Sequence, residues 1–178
     1  MAYITENQLR DFAARPRYEA FSNIKTASRL ANLSIFLSHS HRDKNLVEGL
    51  IVYFETLGIT IYVDWNDTQM PRITNRATAE RIKTNIRDLN LFIVLATRNA
   101  LASKWVPWEV GVADQIKGEE SILVIPVADN SGQFEGSEYL QLYRRVVPAE
   151  FGGYGVFQPA QTSGILLENH LKKFAQVV

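Results

Sequence analysis

"LSIFLSHSHRDKNLVEGLIVYFETLGITIYVDW", Leu33 to Trp65, decides the fold. It opens with a short apolar run of strand type, Leu33 to Ser38. A segment with apolar residues at Leu46, Leu50, Val52, Tyr53, Phe54 and Leu57 follows and ends at Gly58, a natural helix stop. A second apolar run, Ile59 to Trp65, completes the stretch. Strand, helix and strand within about thirty residues make one βαβ unit.

The pattern continues toward the C-terminus. "RATAERIKTNIRDL" (Arg76 to Leu89) reads as a helix that is polar on most of its surface, and "NLFIVLA" (Asn90 to Ala96) as a third strand. "PWEVGVADQIKG" (Pro107 to Gly118) reads as a third helix and "SILVIPVA" (Ser121 to Ala128) as a fourth strand. Each strand is apolar almost end to end, which predicts a parallel sheet covered on both faces. Right-handed crossovers make it doubly wound. Beyond Ala128 the pattern loosens. "YLQLYRRVVP" (Tyr139 to Pro148) reads as a short helix or an edge element, and "AEFGGYGVFQPAQ" (Ala149 to Gln161) as irregular and turn-rich. "SGILLENHLKKFAQVV" (Ser163 to Val178) reads as a closing helix with Leu166, Leu167, His170, Leu171 and Phe174 on its inner face. At the other end, residues 1–30 read as a helical extension. Thr5 with Gln8 three residues on is a capping-box pattern. Pro16 interrupts the helix, and Tyr18, Phe21, Ile24 and Leu30 resume its spacing. The expected division is therefore an N-terminal extension, 1–30, and a main domain, 31–178.

Bulk properties narrow the function. A chain of 178 residues suits one domain, and 46% hydrophobic with 21% charged residues is ordinary for a globular protein. Nineteen basic residues balance nineteen acidic ones, so nothing in the net charge calls for nucleic acid or an anionic membrane as partner. The absence of cysteine excludes disulfides, thiolate zinc sites and a cysteine nucleophile, and it suits the cytoplasm expected here. "MAYITENQLRDFAARPRYEAF" has no apolar core of a signal peptide. No apolar run reaches the roughly 18 residues that a membrane span needs. His39, His41 and His170 do not stand at metal-ligand spacing, and no metal is expected.

Open parallel sheets bind ligands at the carboxyl ends of their strands. Four stretches lie there: "SHSHRDK" (Ser38 to Lys44), "DWNDTQMPR" (Asp64 to Arg72), "TRNALASKW" (Thr97 to Trp105) and "VADNSG" (Val127 to Gly132). Phosphate-loop, nucleophile-elbow and dinucleotide-fingerprint motifs are all missing. The architecture is of a nucleotide-binding kind without its usual glycine-rich cradle.

The strand and loop "IFLSHSHRDK" resembles the first motif of the TIR (Toll/interleukin-1 receptor) domain family, and specifically its bacterial branch. "DLNLFIVLATRNALASKWVPWEV" resembles the family's third strand and the loop into its Trp-x-x-x-Glu motif, here Trp105 to Glu109. "SILVIPVA" resembles the strand that follows. The match runs from about Leu33 to Ala128, and more loosely beyond. His39 stands where the family often has tyrosine. The loop "NDTQMPRITNR" keeps Pro71 but lacks the usual glycine. The resemblance implies a flavodoxin-like sheet of about five strands with helices on both faces. It also implies cleavage of the nicotinamide–ribose bond of NAD+, consumed as substrate with no further cofactor. Glu109 would be the catalytic carboxylate, with Trp105, Ser38, His39, Ser40, His41 and Asp64 as substrate-binding residues.

The chemistry is consistent with a single acid. Breaking an N-glycosidic bond builds positive charge on the ribose, which a nearby carboxylate stabilises. Nicotinamide in the oxidised dinucleotide is already cationic and leaves without protonation. A tryptophan wall suits a flat cationic ring. Each residue also has a plainer role. With Pro107 as first helical residue, Glu109 would be the third, where an acid favours the helix dipole. One of Trp105 and Trp108 belongs to the core. Ser38 and Ser40 would cap backbone, His41 would sit in a solvated loop, and Asp64 would cap a turn. Arg72 and Arg98 would meet a pyrophosphate or only solvent, and Asn99 would be a turn residue. The resemblance further implies a standalone TIR protein of a Thoeris-type antiphage system. Its nucleotide product, linear, cyclic or conjugated, would act on a separate downstream effector. Self-assembly is expected through TIR–TIR contacts, at the loop Trp65 to Thr74 and the N-terminal helices. The readings from other classes are a non-catalytic TIR–TIR interaction module and an effector that interferes with host signalling.

Overall fold

Two stretches, Leu91–Ala96 and Ile122–Ala128, are buried at every residue, as strands covered on both faces must be. The computed structural model describes residues 2–15, 33–57, 59–63, 75–150 and 152–175. In chain order its elements are β1 (Ile4–Thr5), α1 (Glu6–Ala13), β2 (Ser34–Ser38), α2 (Lys44–Thr56), β3 (Thr60–Tyr62) and α3 (Arg76–Asp88). Then come β4 (Leu91–Ala96), α4 (Arg98–Leu101), α5 (Trp105–Ile116), β5 (Ile122–Ala128), β6 (Arg144–Pro148), β7 (Tyr154–Phe157), β8 (Gly164–Leu166) and α6 (Leu167–Ala175). Helical residues read between Pro16 and Leu30, together with Asp64, Arg72 and the rest of loop 64–74, lie outside the described residues.

The sheet order is β3-β2-β4-β5-β6-β7-β8. The first five strands are parallel, and β7 and β8 add on antiparallel. Numbered by crossover, β2 to β6 give the order 2-1-3-4-5 of the flavodoxin-like fold. β1 pairs in parallel with Val127 and Ala128. Side-chain alternation along the strands makes two cores. Ile35, Leu37, Ile93, Leu95, Leu123 and Ile125 join Leu9, Leu50, Phe54 and Leu171 from α1, α2 and α6. Phe36, Phe92, Val94 and Val124 join Ile82 and Ile86 of α3 and Val106, Val110 and Ala113 of α5. Phe36 and Phe92 stack across β2 and β4 with centroids 5.5 Å apart.

The start of the chain is part of the first core. Ile4 and Leu9 are buried, and the expected capping box forms: Gln8 N donates to Thr5 Oγ1 at 3.3 Å, and Thr5 N to Gln8 Oε1 at 2.9 Å. α1 lies so close to α2 that a Cβ on Gly49 would stand 1.8 Å from the Leu9 carbonyl oxygen. Only glycine permits that approach.

The C-terminal third departs from the sequence expectation. "YLQLYRRVVP" is both of its readings at once, a 3-10 turn at Glu138–Leu142 and then β6. The stretch expected to be irregular contains β7, and the expected closing helix begins as β8. Leu166, expected to face inward, is 49% exposed, whereas Leu167, His170 and Leu171 are buried as expected. The physical reason is pairing: β8 sits so close to β7 that a Cβ on Gly164 would lie 2.6 Å from the Val156 carbonyl oxygen.

Candidate functional site

β2 sends its crossover, α2, to one face of the sheet, and the neighbouring β4 sends α5 to the other. The chain therefore opens a crevice between the carboxyl ends of β2 and β4, the topological switch point where such sheets bind ligands. Ser38 is the last residue of β2 and is fully buried. Glu109 enters from α5 and is 8% exposed. The Ser38 hydroxyl donates to Glu109 Oε2 at 2.5 Å.

The helix start differs from the sequence reading. α5 begins at Trp105, not Pro107. Ser103 Oγ accepts from Trp105 N at 3.1 Å and Val106 N at 3.4 Å, and so caps the helix. Pro107 still falls in the first turn, where its missing N–H costs nothing. Glu109 becomes the fifth helical residue and is buried against Ser38 at the end of β2 instead of facing solvent. Capping and dipole do not account for it there. Burying a carboxylate is costly unless hydrogen bonds compensate, and the Ser38 hydroxyl supplies one of them.

The loop after β2 is tied down on both sides. The His39 ring, nearly buried, sets Nδ1 2.9 Å from the Leu37 carbonyl oxygen and meets His41 edge-to-face at 5.9 Å. Ser40 Oγ accepts from Arg42 N at 3.3 Å and starts the 3-10 turn His41–Asp43. His41 is exposed. Trp105 and Trp108 meet at right angles with centroids 5.2 Å apart, and both are half-buried against the second core. The structure thus brings Ser38 and Glu109 into contact and places His39, Ser40 and His41 on the adjoining loop. Trp105 stands one turn before Glu109 on α5. Arg98 is not held toward the crevice: it pairs with Glu135 at 2.8 Å, both residues exposed.

Sequence reasoning assigned no role to Asp43 and Thr97, and it read Asn99 as a turn residue. Asp43 is buried, and its carboxylate accepts from Thr97 Oγ1 at 2.5 Å and from Asn99 Nδ2 at 2.6 Å. Thr97 Oγ1 also accepts from Ala100 N at 2.9 Å and caps α4. One carboxylate therefore clamps the loop after β2 to the loop after β4, the two walls of the crevice. The aspartate was visible in the first motif, but its partners stand 54 and 56 residues away. After β5, Asp129 organises the third loop. The Ser131 hydroxyl first, then the Gln133 and Ser131 amides, hold its carboxyl below the usual carboxylate range. Among the described residues no group of three His, Cys, Asp or Glu side chains could hold a metal, and no helix is long and apolar enough to cross a membrane.

The structure is that of a doubly wound α/β domain with a buried acid, Glu109, at its switch point. The sequence profile of the TIR domain matches residues 35–154, and the chain belongs to that family. It is 36% identical over 111 residues to the "Probable 3' cyclic ADP-D-ribose synthase ThsB'" of Bacillus cereus (strain MSX-D12), covering 61% of this chain and 58% of that protein. It is 26% identical over 113 residues to the "Putative cyclic ADP-D-ribose synthase TIR2" of Cytobacillus dafuensis, covering 54% and 30%. It is 24% identical over 124 residues to the "NAD(+) hydrolase TcpC" of Escherichia coli O6:H1 (strain CFT073), covering 68% and 39%. The chain thus spans less than two thirds of each of these relatives.

Proposed function

We propose that the protein cleaves the bond between nicotinamide and ribose in NAD+ and converts the ADP-ribose part to a cyclic, linear or conjugated product. The observation that carries this reading is the buried Glu109 carboxylate, held by the Ser38 hydroxyl at 2.5 Å in the switch-point crevice. As nicotinamide departs, positive charge spreads over the ribose ring, and a pre-oriented carboxylate stabilises it without reorganising. Nicotinamide leaves as a neutral ring, so no general acid is needed. Ser38 fixes the carboxylate's orientation. Trp105, His39, Ser40 and His41 form the wall against which the dinucleotide lies; Asp64, which follows β3 in the sequence, is a further candidate for binding the substrate. Cyclisation or hydrolysis then depends on whether a group of the same molecule or water attacks the ribose carbon. The printed names of the relatives include both kinds of enzyme, cyclic ADP-D-ribose synthases and an NAD(+) hydrolase.

The role that goes with this activity is production of a nucleotide signal in the cytoplasm during antiphage defence, sensed by a separate effector. Self-assembly through TIR–TIR contacts is the working form. An apolar groove of about 370 Å³ between α3 and α5, lined by Lys83, Trp108, Val112 and Ile116, favours such contacts. It equally supports the second reading, a non-catalytic interaction module. The deciding experiment is mass spectrometry of products from NAD+ at high protein concentration, with and without a crowding agent, for the wild type and Glu109→Gln. Release of nicotinamide by the wild type, lowered about a hundredfold or more in the variant, is expected from loss of a transition-state charge partner. The mass of the second product separates cyclisation from hydrolysis by one water. Equal turnover by both proteins removes Glu109 from the mechanism.

A further inference from the structure

At the opposite end of the sheet from Glu109, a cavity of about 230 Å³ opens between the start of β6, the segment joining β7 to β8, and α6. Its lining includes Arg144, Lys173, Glu120, Gln158, Gln161 and Ser163. Arg144 forms the floor, with its side chain only 12% exposed. Its Nη2 donates to Glu120 Oε1 at 3.1 Å, and its Nη1 is buried with no hydrogen-bond partner. A guanidinium presents a planar fork that carboxylate and phosphate oxygens satisfy two at a time. Here one tine is used.

The corner is electropositive. Arg144 and Lys173 both act on the buried His170 to disfavour its protonation, adding to the larger effect of burial. His170 sits with Nε2 2.9 Å from the Glu120 carbonyl oxygen. With His170 neutral, two cations face one carboxylate, and that carboxylate belongs to the half-exposed Glu120. The wall is also fixed in place. Arg145 donates from Nη1 to the Gln158 carbonyl at 3.1 Å and from Nη2 to the Gln161 carbonyl at 2.5 Å, which pins the segment carrying Gln158, Gln161 and Ser163. The volume lies below the roughly 300–1,000 Å³ of sites that take drug-sized ligands. It suits a single phosphate group and not a dinucleotide.

We propose that this cavity is a binding site for a small phosphate anion, either free phosphate or the head of a small phosphomonoester. Arg144 takes its oxygens from the floor and Lys173 from the rim. It is separate from the Glu109 crevice and does not depend on the activity proposed for that crevice. The test is a thermal-melt titration of the full chain with sodium phosphate, against sodium chloride at matched ionic strength, and in parallel with glycerol phosphate. Phosphate should raise the melting temperature along a saturating curve that chloride does not reproduce. Glycerol phosphate acting at lower concentration than phosphate would identify a phosphomonoester as the occupant, and the reverse would identify the free ion. Arg144→Gln should abolish the saturable effect. Lys173→Gln, at an exposed position that the fold does not need, should weaken phosphate by about two- to fivefold, the worth of one exposed charge pair. A phosphate response that is linear, matched by chloride, or unchanged in Lys173→Gln overturns the proposal.

Discussion

Removing the Asp43 carboxylate should loosen the two walls of the crevice by an amount that can be worked from its contacts. It accepts two hydrogen bonds, from Thr97 Oγ1 and Asn99 Nδ2. Hydrogen bonds to a charged group contribute about 1.5–3 kcal/mol each, which sets a ceiling of about 6 kcal/mol. Asp43→Ala also relieves the desolvation of a buried carboxylate, which offsets part of that loss. Thr97 is 2% exposed, so its hydroxyl is left without an acceptor and without water, whereas the half-buried Asn99 amide can turn toward solvent. The expected net loss is about 2–4 kcal/mol. In urea, at a slope of about 2 kcal/mol per molar, the midpoint falls by about 1–2 M with the slope unchanged. Thr97→Val removes one donor, and the Asp43→Ala/Thr97→Val pair should be non-additive by at least about 0.5 kcal/mol, as groups in contact are. If the two substitutions add within that margin, or the midpoint of Asp43→Ala stays put, the clamp does not hold the loops. Under the proposed function, Asp43→Ala also lowers turnover of NAD+ at urea-free temperatures where it is fully folded.

Two further outcomes follow from packing and burial elsewhere. Gly49→Ala sets a methyl 1.8 Å from the Leu9 carbonyl oxygen and 2.7 Å from its carbon. Backbone cannot swing aside as a side chain can, so α1 must shift off α2 at a cost of about 1–3 kcal/mol, read as a lower melting temperature; an unchanged melt would mean the helices do not approach so closely. For His170, burial leads the causes that lower its pKa below the ordinary 6.5. Its neutral form is favoured in the fold, so the unfolded chain binds the proton more tightly. Stability is full above about pH 6.5 and falls as pH drops from there toward the folded-state pKa. The melting temperature of the wild type should therefore fall more steeply between pH 7 and pH 5 than that of His170→Gln, and parallel slopes would refute the assignment.

How legible the molecule was depends on the range of the interaction concerned. The βαβ rhythm from Leu33 to Ala128 was plain because each buried parallel strand must be apolar throughout, and the observed strands lie within one or two residues of the expected ones, apart from the shorter β3. Tyr154–Phe157 and Gly164–Leu166 were not plain. They are short, rich in glycine and on the sheet's margin, so neither hydrophobic period nor length marks them. The pairing that makes them strands is with each other and with β6. In the site, Glu109 and Ser38 were both named, but their contact crosses 71 residues of chain and no local pattern encodes it.

The sequence by itself determined the fold class, the family resemblance and the candidate acid. Those rest on local rules: apolar runs, stops at glycine, and a Trp-x-x-x-Glu spacing readable in a few residues. Only the tertiary structure decided what the acid does not do. It starts α5 two residues earlier, at Trp105, and places Glu109 past the first turn, buried against Ser38. It also decided that Asp43 joins Thr97 and Asn99, and that Arg144 lines a cavity at the far end of the sheet. The physical reason is the same in each case. A parallel sheet brings strand ends together that are far apart in sequence. Whether a polar side chain there is capped, clamped or left facing a ligand is then set by neighbours that the local sequence does not contain.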